Sequence, residues 1–142
     1  MKAAAALDPG RSKCGLVLVN AGERRVLAAG VLPPDRCRKE LNDWLQQHPE
    51  SPVVLGNGTG SQPWQPWLAA RTELVLVPEA GTTLAARQRY WQLEPPRRWQ
   101  RLLPAGLRLP PRDVDDVAAQ LLLERYLQAS LVRDSGLQWL AP

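Results

Sequence analysis

Carboxylates stand at element boundaries in this chain. Asp8 closes an apolar run and opens an Asp8-Pro9-Gly10 turn, Glu79 follows another apolar run just beyond Pro78, and Asp113, Asp115 and Asp116 head the last amphipathic segment. Such side chains offer hard oxygen ligands. Gathered together they repel one another unless a cation binds them, and an all-oxygen set selects Mg²⁺ or Mn²⁺. An ion held this way activates water and stabilises charge on a phosphodiester in transit. Each acid also has an ordinary explanation. Aspartate at a helix start caps the helix and suits its dipole, and aspartate before Pro-Gly is common turn chemistry.

Positive charge is clustered. The net charge is +4, yet between positions 87 and 112 seven arginines (87, 89, 97, 98, 101, 108 and 112) face a single acid, Glu94. Tyr90, Trp91 and Trp99 lie among them. Arginine meets phosphate through a planar fork, and aromatic faces stack on unpaired bases. The pattern suits a nucleic-acid partner, with Arg87, Arg89, Arg97, Arg98, Arg101 and Arg112 as contacts and Lys13, in the turn next to Asp8, as a further one. The competing explanation is a solvated helix face over core tryptophans.

Other chemistries find little support. One His and two distant cysteines, Cys14 and Cys37, do not compose a zinc site, and both thiols are expected reduced and buried. No Ser-His-Asp or Cys-His pattern is present. The Gly56–Gly60 loop lacks the Lys-Ser/Thr of a P-loop, so a tight turn is expected there, with Asn57 facing the carboxylates. Trp64 and Trp67 suit packing, or a homodimer surface if exposed. His48 sits at a helix end, where the dipole suffices to explain it. Apolar runs are too short to span a bilayer, and Asp8-Pro9-Gly10 interrupts the first before a signal peptide could form, so a cytoplasmic protein with no membrane partner is expected.

These residues must be positioned by a folded domain. At 142 residues and 44% hydrophobic content, the chain has material for one core. Strands are expected at 3–7, ending at Asp8, at 14–19 and at 24–32, joined by short loops as a meander. A helix follows over 36–47 with Asp35 as its N-cap, then a strand at 52–55, a short helix capped by Ser61 and carrying Trp64, Trp67 and Leu68, a strand at 73–77, and a helix from Thr82 or Thr83 to about Leu93. Residues 94–111 contain five prolines and predict an irregular loop. The clearest helix opens at Asp113, with Val114, Val117, Ala118, Leu121 and Leu122 on one face, and is expected to reach about Leu131. The tail carrying Trp139 and Leu140 is expected to dock on the core. The order implies an α/β domain: a five-stranded mixed sheet flanked by helices. With strands in the order 3-2-1-4-5, Asp8 and Glu79 share one crevice, and the start of the last helix delivers a third carboxylate.

Four blocks resemble the YqgF/RuvX family of the ribonuclease H-like superfamily, over about residues 3–127 as a single domain. Asp8-Pro9-Gly10-Arg11-Ser12-Lys13-Cys14-Gly15 is similar to that family's first-strand motif and, in its Asp-Pro-Gly form, to the RuvC resolvases. Val53-Val54-Leu55-Gly56-Asn57-Gly58-Thr59-Gly60 stands at the Val-Gly-Leu-Pro-like segment, worded more like the YqgF-like domain of Tex transcription proteins. Val77-Pro78-Glu79-Ala80-Gly81-Thr82-Thr83 is similar to the Asp-Glu-Arg-Leu-Thr-Thr block, with Pro78 and Ala80 in place of its Asp and Arg. Val114-Asp115-Asp116-Val117-Ala118-Ala119 is similar to the Val-Asp-x-x-Ala-Ala helix start.

The resemblance implies a metal-dependent nuclease. Asp8, Glu79 and Asp115 are its expected catalytic residues, and with Asp116 its ligands for Mg²⁺ or Mn²⁺. The expected substrate is structured nucleic acid: the 5′ end of pre-16S ribosomal RNA, or branched DNA in Holliday junction resolution. The altered Glu79 block and the Tex-like loop keep a second expectation open, a non-catalytic module of the same fold that binds nucleic acid or a protein of the ribosome or transcription machinery. A sugar-kinase or actin-like ATPase would need a second lobe that one domain of this length does not supply.

Overall fold

The computed structural model describes residues 1–94, 99–104 and 109–142. Three strands, β1 (Ala3–Asp8), β2 (Cys14–Asn20) and β3 (Arg25–Leu32), form an antiparallel meander. Helix α1 (Pro34–Gln47) leads to β4 (Val53–Gly56), and the short α2 (Trp64–Ala69) leads to β5 (Leu74–Val77). Helix α3 (Thr82–Leu93) and helix α4 (Asp115–Leu127) follow, and β6 (Gln138–Leu140) ends the order.

The sheet is mixed and has six strands, ordered β5-β4-β1-β2-β3-β6. β4 runs parallel to β1 and to β5, and β6 runs parallel to β3. This corrects the expectation of five strands. Strand β6 lies on β3 and extends the sheet past the point where the order 3-2-1-4-5 would have ended. The tail therefore docks by ladder pairing, with Leu140 buried and Trp139 half exposed.

Strand β1 is central and buried on both faces, which explains its run of alanines and one leucine. Side chains alternate across a strand. Ala3, Ala5 and Leu7 enter a core with Leu41, Trp44 and Leu45 of α1 and Trp64 and Leu68 of α2. Ala4 and Ala6 enter the opposite core with Ala119, Leu122 and Leu123 of α4. Helix α3 packs on α4 through Ala86, Val117 and Ala118. By the same alternation Asp8 belongs to the α4 face.

Helix ends differ from expectation in ways the backbone explains. Pro33 is the N-cap of α1 and Pro34 opens it, because proline has the right φ and no N–H to satisfy there; Asp35 lies in the first turn instead of capping. Ser61 is not the cap of α2, which starts after Pro63; its hydroxyl donates to the Gly58 carbonyl. Helix α4 begins two residues after Asp113 and stops at Leu127, where Gln128 turns into the left-handed region at φ 55°.

Candidate functional site

Two glycines beside β1 decide how close other elements come to Asp8. Asp8 pairs with Gly15 across the β1–β2 ladder. A Cβ on Gly15 would stand 1.9 Å from the carbonyl oxygen of Asp115, so only glycine lets the first turn of α4 descend onto β2. On the other side, a Cβ on Gly58 would stand 1.7 Å from Oε1 of Glu79, and one on Gly56 would stand 2.6 Å from its Oε2. The Glu79 carboxylate thus fills the space that these residues leave beyond the end of β4. The turn carrying Glu79 is tied from three directions. Its N–H donates to Oδ1 of Asn57 (3.3 Å), its carbonyl accepts from the Thr82 hydroxyl (2.6 Å), and Arg125 of α4 donates to the Pro78 carbonyl (3.0 Å).

Asp8 feels both of the other carboxylates. Burial, then the charge of Asp115, then the charge of Glu79 push the Asp8 carboxyl up to about 7. Asp115 is also raised, chiefly by burial, with Lys13 pulling it back. Among the described residues no hydrogen bond or ion pair joins a cation to the carboxylate of Asp8, Glu79 or Asp115. The site is a set of half-buried acids whose cationic neighbour Lys13 is bonded to Asp113 instead. Its donors are all oxygens, which suits a hard divalent cation. As the side chains stand, however, no set of three or more His, Cys, Asp or Glu among the described residues is gathered tightly enough to hold a metal ion.

Asp116 does not join them. Although next to Asp115, it is fully buried between two arginines: Oδ1 accepts from Arg112 at 2.8 Å and Oδ2 from Arg133 at 2.9 Å. Neighbours on a helix project about 100° apart, and the pair is divided by that rotation, Asp115 to a cavity it lines with Lys13 and Arg87 and Asp116 to the interior. The expectation of Asp116 as a metal ligand is corrected accordingly.

The arginine cluster divides as well. Arg89 forms a two-pronged pair with Glu124 of α4, at 3.2 and 3.0 Å, and Arg112 is spent on Asp116 and Glu94. Both are corrected from open phosphate contacts to internal partners. Arg101 is exposed in the single turn Gln100–Leu102, while the expected contacts Arg97 and Arg98 lie outside the described residues. Arg87 is exposed and lines a cavity of about 330 Å³ that also contains Lys13, Thr83 and Asp115. Lys13 is paired with Asp113 at 2.5 Å, and both are largely exposed.

Sequence reasoning missed a polar stripe on α4. Asp116, Gln120 and Glu124 recur every four residues and are all buried or nearly so. Gln120 accepts from Arg133 (2.7 Å), and Glu124 accepts from Arg89 and from the Leu131 N–H (2.8 Å). Their i, i+4, i+8 spacing was the available signal, hidden because polar residues at that spacing ordinarily mark a solvent face.

The remaining sequence expectations resolve simply. Cys14 and Cys37 are buried and unbridged. Trp64 is buried with Arg38 over its ring (4.5 Å), and Trp67 is capped by Arg71 (4.0 Å), so neither presents an open tryptophan patch for a dimer. His48 is the C-cap of α1, its ring 4.3 Å from that of Trp44. Among the described residues no helix is long and apolar enough to cross a membrane. No protein-family model matches the chain, and a search of curated proteins returns no match.

Proposed function

We propose that the chain is a metal-dependent nuclease that hydrolyses phosphodiester bonds in structured nucleic acid, on a ribonuclease H-like fold of the YqgF/RuvX type. The mixed sheet with helices on both faces is compatible with that fold, with β6 as an addition at the β3 edge. One observation carries the reading: Asp8, Glu79 and Asp115 come from three separate elements near the end of β1, burial and then the charges of Asp115 and Glu79 raise Asp8 to about 7, and among the described residues no cation is bonded to the three carboxylates. Uncompensated, perturbed acids in a crevice mark a site better than paired ones do.

Asp8, Glu79 and Asp115 would hold Mg²⁺ or Mn²⁺, which when bound supplies a Lewis acid for the phosphoryl oxygen and lowers the pKa of water. The rest falls to the chain. With its pKa raised to about 7, Asp8 must lose a proton before it can ligate a cation, so ion uptake should strengthen as pH rises through neutrality. Lys13 and Arg87, beside Asp115 in the adjoining cavity, attract and orient that phosphate. Asp116, locked by Arg112 and Arg133, fixes the rotation of the first turn of α4 so that Asp115 faces Asp8. The substrate favoured by the resemblance is the 5′ end of pre-16S rRNA, with the four-way DNA junction as the other candidate.

A second reading, a non-catalytic nucleic-acid-binding or protein-binding module, is favoured by the looseness of the acidic set, which closes on no ion as it stands. One experiment separates the two. A labelled RNA spanning the pre-16S 5′ end and a labelled four-way junction are incubated with Mg²⁺, Mn²⁺ or EDTA, using the parent and Asp8→Asn. Metal-dependent cleavage by the parent alone supports the nuclease and chooses its substrate. Binding without cleavage under every condition moves the assignment to the module.

A further inference from the structure

Two hollows open on either side of the Lys13–Asp113 ion pair. The first, about 330 Å³, holds Asp115, Thr83 and Arg87. The second, about 340 Å³, has an apolar wall of Val31, Pro33, Trp139 and Pro142. Lys13, Arg112 and Asp113 line both, so the two are one groove with a shared ridge. The volumes are in the range of sites that enclose small-molecule groups. The ridge is an exposed ion pair, its side chains 48% and 58% accessible, and such pairs cost little to open.

The two ends of the groove differ in chemistry. At the first, Arg87 is a cation with no ion-pair partner among the described residues, one helical turn from the exposed Thr83 hydroxyl. A guanidinium, a hydroxyl and an ammonium made free by opening the ridge are donors that fit a phosphate. At the second, Trp139 is 43% exposed, borders the hollow, and carries the Arg112 guanidinium 4.8 Å from its ring centroid. A flat aromatic edged by aliphatic side chains fits an unpaired base, which a duplex cannot present there. Strand β6, absent from the five-stranded expectation, is what brings Trp139 to this place.

We propose that this groove binds an unpaired nucleic-acid strand, one phosphate held by Arg87, Thr83 and Lys13 beside Asp115 and a nearby base stacked on Trp139. This rests on the nucleic-acid reading of the site and names two subsites for it. The test separates charge from stacking. Asp8→Asn protein in EDTA is titrated against a fluorescein-labelled single-stranded oligoribonucleotide, and against its duplex, over a range of salt. Trp139→Leu should weaken single-strand binding about tenfold with an unchanged salt slope and unchanged duplex binding. Trp139→Phe should recover most of the loss. Arg87→Ala should flatten the single-strand salt slope by about 0.7, the signature of one lost phosphate contact. Thermal melts of each variant identify any that fail to fold, and the Trp139→Phe and Arg87→Ala comparisons then decide.

Parent-like binding by both Trp139 variants, an unchanged slope for Arg87→Ala, or equal competition by a polyglutamate peptide would overturn the proposal. Cleavage plays no part in these readouts. Specific binding with no cleavage by the parent leaves this inference standing and removes the nuclease; cleavage with no Trp139 effect does the reverse.

Discussion

Two clusters of acids lie within one helical turn of each other, and they are treated oppositely. Behind α4, Asp116 and Glu124 are buried against Arg112, Arg133 and Arg89, with Gln120 bonded between them. In front of it, Asp8 lies within electrostatic reach of Asp115 and Glu79, no cation is bonded to any of the three carboxylates among the described residues, and burial with those two charges raises Asp8 to about 7. Burying charge is costly unless it is paired. The first cluster meets that demand within the fold. The second leaves it unmet by any bonded cation among the described residues.

Breaking the comparison at its strongest point means removing Asp8. Asp8→Asn should lower metal-dependent cleavage by several orders of magnitude while keeping nucleic-acid binding, measured by single-turnover assay and anisotropy; undiminished cleavage would dissolve the distinction between the clusters.

The next largest effect lies in the paired cluster. Asp116→Ala removes the buried carboxylate that two part-buried guanidinium groups share and should cost about 3 kcal/mol in denaturant unfolding. A loss below about 1 kcal/mol would mean that the network is not structural.

Asp8→Asn should do the opposite to stability. A carboxyl whose folded pKa is raised binds more protons when folded than when unfolded, so its penalty is absent below about pH 4 and grows as pH rises towards 7. The variant should therefore be more stable than the parent at pH 8, by on the order of a few kcal/mol in denaturant unfolding, with the gain vanishing near pH 4. A pH-independent difference would contradict the burial and repulsion assigned to Asp8.

Two glycines sharpen the comparison further. Gly15→Ala meets backbone at Asp115, which cannot swing aside, and should cost about 1–3 kcal/mol as well as activity. Gly58→Ala meets only the tip of Glu79, so it should cost less than about 1 kcal/mol yet impair cleavage by displacing that carboxylate. Equal stability losses in both would remove Glu79 from the crevice's account. The smallest effect is expected for Lys13→Ala, whose exposed pair with Asp113 is screened by solvent, so its thermal melt should overlay the parent's.

Much of this arrangement was legible in the sequence because apolar runs ended at Pro and Gly. The first five strands and the places of Asp8 and Glu79 at strand ends followed from that punctuation, whereas Asp115 was set apart from its neighbours only by the family resemblance. Strand β6 was not legible: it has three residues at a sheet edge, too few for an alternation to register, and it exists through pairing with β3 far away in the chain. The arginine cluster misled for a related reason. A window over positions 87–112 saw one acid, but Arg89 is neutralised by Glu124, 35 residues on, and Arg112 by Asp116, four residues on in the first turn of α4. Local charge counts miss partners that the fold returns to them. Asp115 and Asp116 are alike in sequence, and only the rotation of α4 over Gly15 tells them apart.

The most direct test of the open cluster is calorimetric titration of Mn²⁺ into the parent, Asp8→Asn and Lys13→Ala at pH 7.5. Saturable uptake by the parent and by Lys13→Ala, lost in a folded Asp8→Asn, is the result expected of carboxylates reserved for a cation. Equal uptake by all three proteins, or none by the parent, would contradict it.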